Sequence, residues 1–175
     1  MADSTRRRPA WLRWSGNILL ILFLVWAVQW WQSRGLAGGP APELSAFDLD
    51  GAPLSLDHYR GQTVLVHFWA TWCPICRLEE KGIDRLSRDY PVITVATNSG
   101  SPAELRTYLD SEALSFAVIP DEGGEVASRW RVRGVPVSYI VDPAGEIVWS
   151  GAGYTSEWGL RARLQLAQWG FSLPL

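Results

Sequence analysis

Hydrophobic spacing changes several times along this chain, and each change marks an expected element. No charged residue lies between Arg13 and Arg34, and residues 18–28 form an unbroken apolar run. About 20 largely apolar residues are enough for a helix to cross a bilayer, so residues 14–33 are expected to form a transmembrane anchor. Residues 1–13 precede it, and a Gly-, Pro- and Ala-rich linker over 34–42 follows. From residue 43 onward the apolar runs are short. Residues 44–49 and 54–56, separated by Asp50-Gly51, read as a β-hairpin. Residues 64–69 and 92–97 are β-rich runs with a helical pattern between them (74 to about 88, with apolar Leu78, Ile83 and Leu86), which makes a β-α-β unit with parallel strands and a right-handed crossover. Ser101-Pro102 opens a helix running to about 111. A short strand at 116–119, a short helix at 124–130, an antiparallel hairpin at 137–141 and 146–149 around Asp142-Pro143-Ala144-Gly145, and an amphipathic helix over 156–168 complete the expected order.

The two cysteines of the chain, Cys73 and Cys76, stand one helical turn apart where the first β-rich run gives way to the helix. Unpaired N–H groups and the positive end of the helix dipole at such a junction stabilise a thiolate. A free thiol titrates near 8.5, and such environments lower this to roughly 3.5–7.5, so Cys73 is the expected nucleophile and Cys76 the residue that closes the disulfide. Two other uses of the pair stay open. A zinc site needs four ligands, and beyond the cysteines the chain offers only His58 and His67. Copper(I), which thiolates bind well, defines a metal-handling alternative. A purely structural disulfide is disfavoured, because so short a loop removes little chain entropy.

Composition sets the remaining bounds. At 175 residues, 47% of them hydrophobic, the chain can bury one compact core once the N-terminal segment is set aside. A net charge of −2 with no basic stripe outside the anchor region argues against nucleic acid as a partner. Arg6, Arg7, Arg8 and Arg13 precede the apolar run, which by the positive-inside rule leaves the domain outside the cytoplasm, and Trp11, Trp14, Trp30 and Trp31 fit two interfacial belts. A cleaved signal peptide is the competing reading, although residues 30–34 make a poor small-residue cleavage site. A dithiol kept reduced in an oxidising compartment needs a supply of electrons, hence a membrane electron-transfer partner.

Taken together, the β-α-β unit, Trp72-Cys73-Pro74-Ile75-Cys76 at its first turn and Gly134-Val135-Pro136 before the final hairpin resemble the thioredoxin superfamily from about Glu43 to the C-terminus. Residues 68–76 are similar to the active-site strand and loop of its membrane-anchored TlpA/ResA/DsbE-like branch. Residues 150–161 further resemble the disulfide oxidoreductases found with suppressors of copper sensitivity. The resemblance implies an α/β thioredoxin-like fold over 43–175, with a central mixed sheet flanked by helices and an N-terminal hairpin. It implies a protein-disulfide oxidoreductase of the inner membrane facing the periplasm, acting on protein disulfides or dithiols without metal or organic cofactor. It casts Cys73 as attacking thiol, Cys76 as resolving thiol, Pro136 as a cis-proline facing them and Glu79 as a buried acid near the dithiol. Trp72, Pro74 and Val135 are the expected substrate platform. Glu80 is read as the solvated glutamate of the pair, and Trp69 as core. Two positions depart from related patterns. His67 stands where cytoplasmic thioredoxins carry a buried acid, and Val137 where the cytochrome c maturation branch carries glutamate.

Overall fold

The computed structural model describes residues 35–170, together with 17, 19–21, 23 and 24. The chain divides into two compact units, Met1–Arg34 and Gly35–Leu175. Most of the expected anchor, 14–33, lies outside the described residues; those described in it are helical and exposed. No helix among the described residues is long and apolar enough to cross a membrane.

The second unit is built on a six-stranded mixed sheet. In chain order its strands are β1 (Gly39–Pro40), β4 (Val64–Trp69), β5 (Val92–Thr97), β6 (Val118–Asp121), β7 (Val137–Val141) and β8 (Glu146–Ala152). Their spatial order is β1-β8-β7-β4-β5-β6, with β4, β5 and β6 mutually parallel and the remaining pairs antiparallel. A separate hairpin, β2 (Ser45–Phe47) and β3 (Pro53–Ser55), stands apart from this sheet. The helices are α1 (Pro74–Ser87), α2 (Pro102–Ser111), α3 (Glu125–Arg129) and α4 (Glu157–Gln168).

All six residues of β4 and of β5 are buried, which explains why both read as continuous apolar runs rather than alternating ones. Their side chains divide between two cores. Leu65, Trp69 and Ala96 join Ile83, Leu86, Leu160 and Leu164 on the face covered by α1 and α4. Val66, Phe68, Ile93 and Val95 join Leu44, Leu54, Val126 and Trp130 on the other. By strand alternation His67 falls on the α1 face. Gly82 lets α1 and α4 approach closely: a Cβ there would stand 3.2 Å from Cβ of Glu157. This brings the segment before α4 against the first turns of α1.

Three expectations are corrected. Residues 34–42 are not a free linker throughout, because Ala37 is buried and Gly39 and Pro40 pair with Ile147 and Glu146 on the edge of β8. The strand expected at 116–119 lies at Val118–Asp121, since Phe116 packs into the α1-side core while the parallel register with β5 starts at Thr94 and Val118. Pro120 is tolerated there because β6 is an edge strand. Finally, Leu78 does not belong to the buried face of α1, being 73% exposed. The buried residues of that helix are Cys76, Glu79, Glu80, Ile83, Asp84 and Leu86, so half of its core-facing positions are acids.

Candidate active site

Where β4 ends, residues 70–72 turn the chain and Cys73 becomes the N-cap of α1, its amide donating to Ala70 O at 3.2 Å. Its Sγ takes the place of the usual capping oxygen, accepting the Cys76 amide at 3.2 Å. Pro74 follows at the first helical position, where a missing N–H leaves nothing unsatisfied and the fixed φ suits the helix. Cys73 and Cys76 form a disulfide with Cα atoms 5.3 Å apart. Both are nearly enclosed, at 3% and 2% exposed, so overall exposure does not set Cys73 apart as the accessible thiol. What distinguishes it is its position outside the helix, with Sγ 3.6 Å from Val135 O. The Val135–Pro136 peptide is cis, and Pro136 is buried beside the dithiol loop.

The substrate-platform residues are brought to one surface. Trp72 is 60% exposed, its ring held by a hydrogen bond from Nε1 to Asn98 O at 2.9 Å. Pro74 and Ile75 are exposed next to it, and Val135 is half-buried. Trp72 and Val135 both line a groove of about 460 Å³. Arg77, the cation nearest in sequence to the cysteines, donates to Thr71 O at 3.1 Å rather than to a sulfur. Trp69 is core, as expected, packing edge-on against Phe116.

Glu79 is buried one turn beyond Cys76, and residues three apart on a helix are neighbours at about 5–6 Å. Its Oε2 accepts the Thr155 amide at 2.9 Å, while Oε1 has no hydrogen-bond partner. That oxygen faces His67 Nε2 at 3.6 Å, within ion-pair reach but beyond hydrogen-bond length. His67 Nδ1 is 2.9 Å from Ser138 Oγ. Desolvation governs both groups. It raises the Glu79 carboxyl to about 7 against the opposing Thr155 hydrogen bond, and it lowers the His67 imidazole to about 3. The carboxyl is therefore poised to exchange a proton near neutrality, and the imidazole stays neutral.

Glu80 corrects an expectation. It is buried rather than solvated, with Oε2 accepting the Tyr108 hydroxyl at 2.7 Å, and burial raises its pKa. Ser138 and Thr155 complete the surroundings of Glu79 and His67. Neither carried a sequence signal, because Thr155 lies 76 residues from Glu79 and Ser138 71 residues from His67.

Residues 37–150 match the model of the AhpC/TSA family. A thioredoxin-like protein of Haemophilus influenzae is 34% identical over 123 residues, covering 69% of this chain and 73% of that one. The thiol-disulfide oxidoreductase ResA of Halalkalibacterium halodurans is 28% identical over 151 residues, covering 82% and 86%. In overall fold the chain is similar to a crystal structure described as a putative thiol:disulfide interchange protein DsbE from Chlorobium tepidum, with a TM-score of 0.68, 23% identity and coverage of 76% and 99%. This chain belongs to the AhpC/TSA family, as a thiol-disulfide oxidoreductase with the Cys73–Cys76 pair.

Proposed function

We propose that this chain is a single-span protein of the cytoplasmic membrane whose redox domain faces the periplasm and works mainly as a reductant of protein disulfides. In this reading the Cys73 thiolate attacks a substrate sulfur to form a mixed disulfide and release the first substrate thiolate. Cys76 then attacks Cys73 Sγ, freeing the second substrate thiolate and leaving the Cys73–Cys76 disulfide. Glu79 accepts the proton that Cys76 must lose. A membrane electron donor returns two electrons to restore the dithiol.

The observation that carries the direction is that no cationic side chain is paired to the Cys73 sulfur among the described residues. Pro74 and Ile75 bring no positive charge, and Arg77 is engaged by a backbone carbonyl. Glu79, buried one turn beyond Cys76, destabilises a nearby thiolate once it ionises. Strong oxidants owe their poise to an unusually stabilised reduced form, whereas here the helix start and the Cys76 amide support the Cys73 sulfur without a cation paired to it among the described residues. Equilibrating the protein against glutathione buffers, with Trp72 fluorescence as readout, is expected to give a potential near or below about −200 mV; a value near about −120 mV overturns the reducing assignment. Membrane attachment is tested separately. Alkaline phosphatase fused after Gly39 is expected to be active and to sediment with membranes, whereas a soluble product beginning near Ala37 establishes a cleaved signal peptide.

A further inference from the structure

The groove beside the dithiol has a charged wall that thiol exchange does not require. Trp72, Asn98, Ser128 and Val135 help line it, and the charged residues in its lining are Arg131 and Arg133. Both are exposed, and neither has an ion-pair partner among the described residues. Glu122 and Glu125 flank the Gly123-Gly124 part of the wall without lining the groove.

Arg131 is held in a conformation that argues for its side chain. It follows the C-cap of α3 with a φ of 56°, in the left-handed region. Its amide donates to Ser128 O and that of Val132 to Ala127 O, the paired bonds of a Schellman ending. Glycine is the residue this position favours, because any Cβ is strained there. A long cationic side chain is instead displayed at this strained position on the groove.

We infer that this groove receives an acidic segment of the partner protein, with Arg131 and Arg133 pairing to carboxylates that flank the partner's reacting cysteine. The inference rests on the oxidoreductase reading and names its substrate class. Volume agrees with this: about 460 Å³ accommodates a few side chains, enough for residues on one side of a cysteine held at Cys73. Guanidinium groups match carboxylates geometrically, and a cationic wall also speeds encounter with anionic segments.

The test uses the full-length reduced protein in mild detergent and three otherwise identical peptides. Each carries one cysteine as its mixed disulfide with 2-mercaptoethanol, flanked by glutamates, glutamines or lysines. Two electrons pass from the dithiol to the peptide disulfide, yielding peptide thiol, mercaptoethanol and the Cys73–Cys76 disulfide. Rates are divided by those with dithiothreitol, which removes intrinsic differences in peptide reactivity. The glutamate peptide is expected to react about tenfold faster than the glutamine peptide at low salt, with the lysine peptide slowest and the spread collapsing in high salt. In the Arg131→Gly, Arg133→Gln double variant the glutamate-to-glutamine ratio is expected to fall toward one. Arg131→Gly alone is expected to raise the thermal midpoint by about 3 °C, which separates lost preference from lost fold. Equal rates for the three peptides with the unaltered protein, or a preference that survives in the double variant, overturn the inference alone. Failure to reduce any of them overturns the oxidoreductase reading and the inference with it.

Discussion

Two buried carboxylates of α1, Glu79 and Asp84, are almost equally inaccessible to solvent and have opposite characters. Asp84 is saturated. Burial alone would raise its pKa, but the Ser115 amide and hydroxyl and the Arg88 guanidinium outweigh it and hold the carboxyl below its ordinary range. Glu79 is starved: one amide reaches Oε2, Oε1 has no hydrogen bond, and desolvation prevails. A buried acid given enough donors is a fixed anion that ties elements together. One denied them keeps a proton it can exchange near neutrality, and Glu79 lies one helical turn beyond Cys76.

Substitution separates the two roles, beginning with the larger effect. Asp84→Ala is expected to lower unfolding stability by about 3 kcal/mol at pH 7, because it removes both Ser115 hydrogen bonds and the Arg88 ion pair and releases α1 from the loop before β6. Since the native pKa of Asp84 is depressed, the stability it contributes is present above its unfolded pKa and is lost as pH falls through the native value. Denaturant melts of the variant and the unaltered protein should therefore converge in acid, and a constant gap across pH would deny Asp84 its role as an anion.

Glu79→Gln is expected to act with the opposite sign. A carboxyl raised from 4.5 to about 7 is protonated in both states below pH 4.5, and the native state is penalised increasingly as pH rises toward 7. The variant should match the unaltered protein near pH 4.5 and exceed it by up to about 3 kcal/mol above pH 7. Destabilisation of Glu79→Gln at pH 8 would make Glu79 a structural anion like Asp84. The smallest effect concerns Glu80, which lies between these cases with one side-chain donor. Tyr108→Phe removes that donor and is expected to cost about 1 kcal/mol in thermal or denaturant melts, with the position of the redox potential unchanged.

The same helix shows what was legible in the sequence and what was not. The junction of β4 and α1, the cysteine spacing and the cis-proline turn are local, so residues 64–76 and 134–136 announced the fold and half of the site. The buried face of α1 did not announce itself, because hydrophobic periodicity assigns Leu78 to the core and Glu80 to solvent, and both assignments are reversed. Acids become tolerable inside only through donors supplied from elsewhere: Tyr108 to Glu80, Ser115 to Asp84 and Thr155 to Glu79. Nothing within one helical turn encodes those contacts. The edge pairing of Gly39 and Pro40 with β8 escaped notice for the same reason, since a two-residue strand carries no pattern of its own.

Glu79 is proposed to take the proton of Cys76 during resolution, and the mixed disulfide is the species that reports on it. Acid quenching of the reaction between the reduced protein and a peptide disulfide, followed by mass spectrometry across pH 5–9, gives the rate at which that intermediate is resolved. In the unaltered protein the rate is expected to rise through pH about 7 and level off, following the carboxyl. In Glu79→Gln the inflection near 7 should vanish, the mixed disulfide should accumulate, and resolution at pH 7 should slow by about 10²-fold, the lower end of what a positioned base contributes. An inflection near pH 7 that persists in Glu79→Gln with an unchanged resolution rate would contradict the assignment.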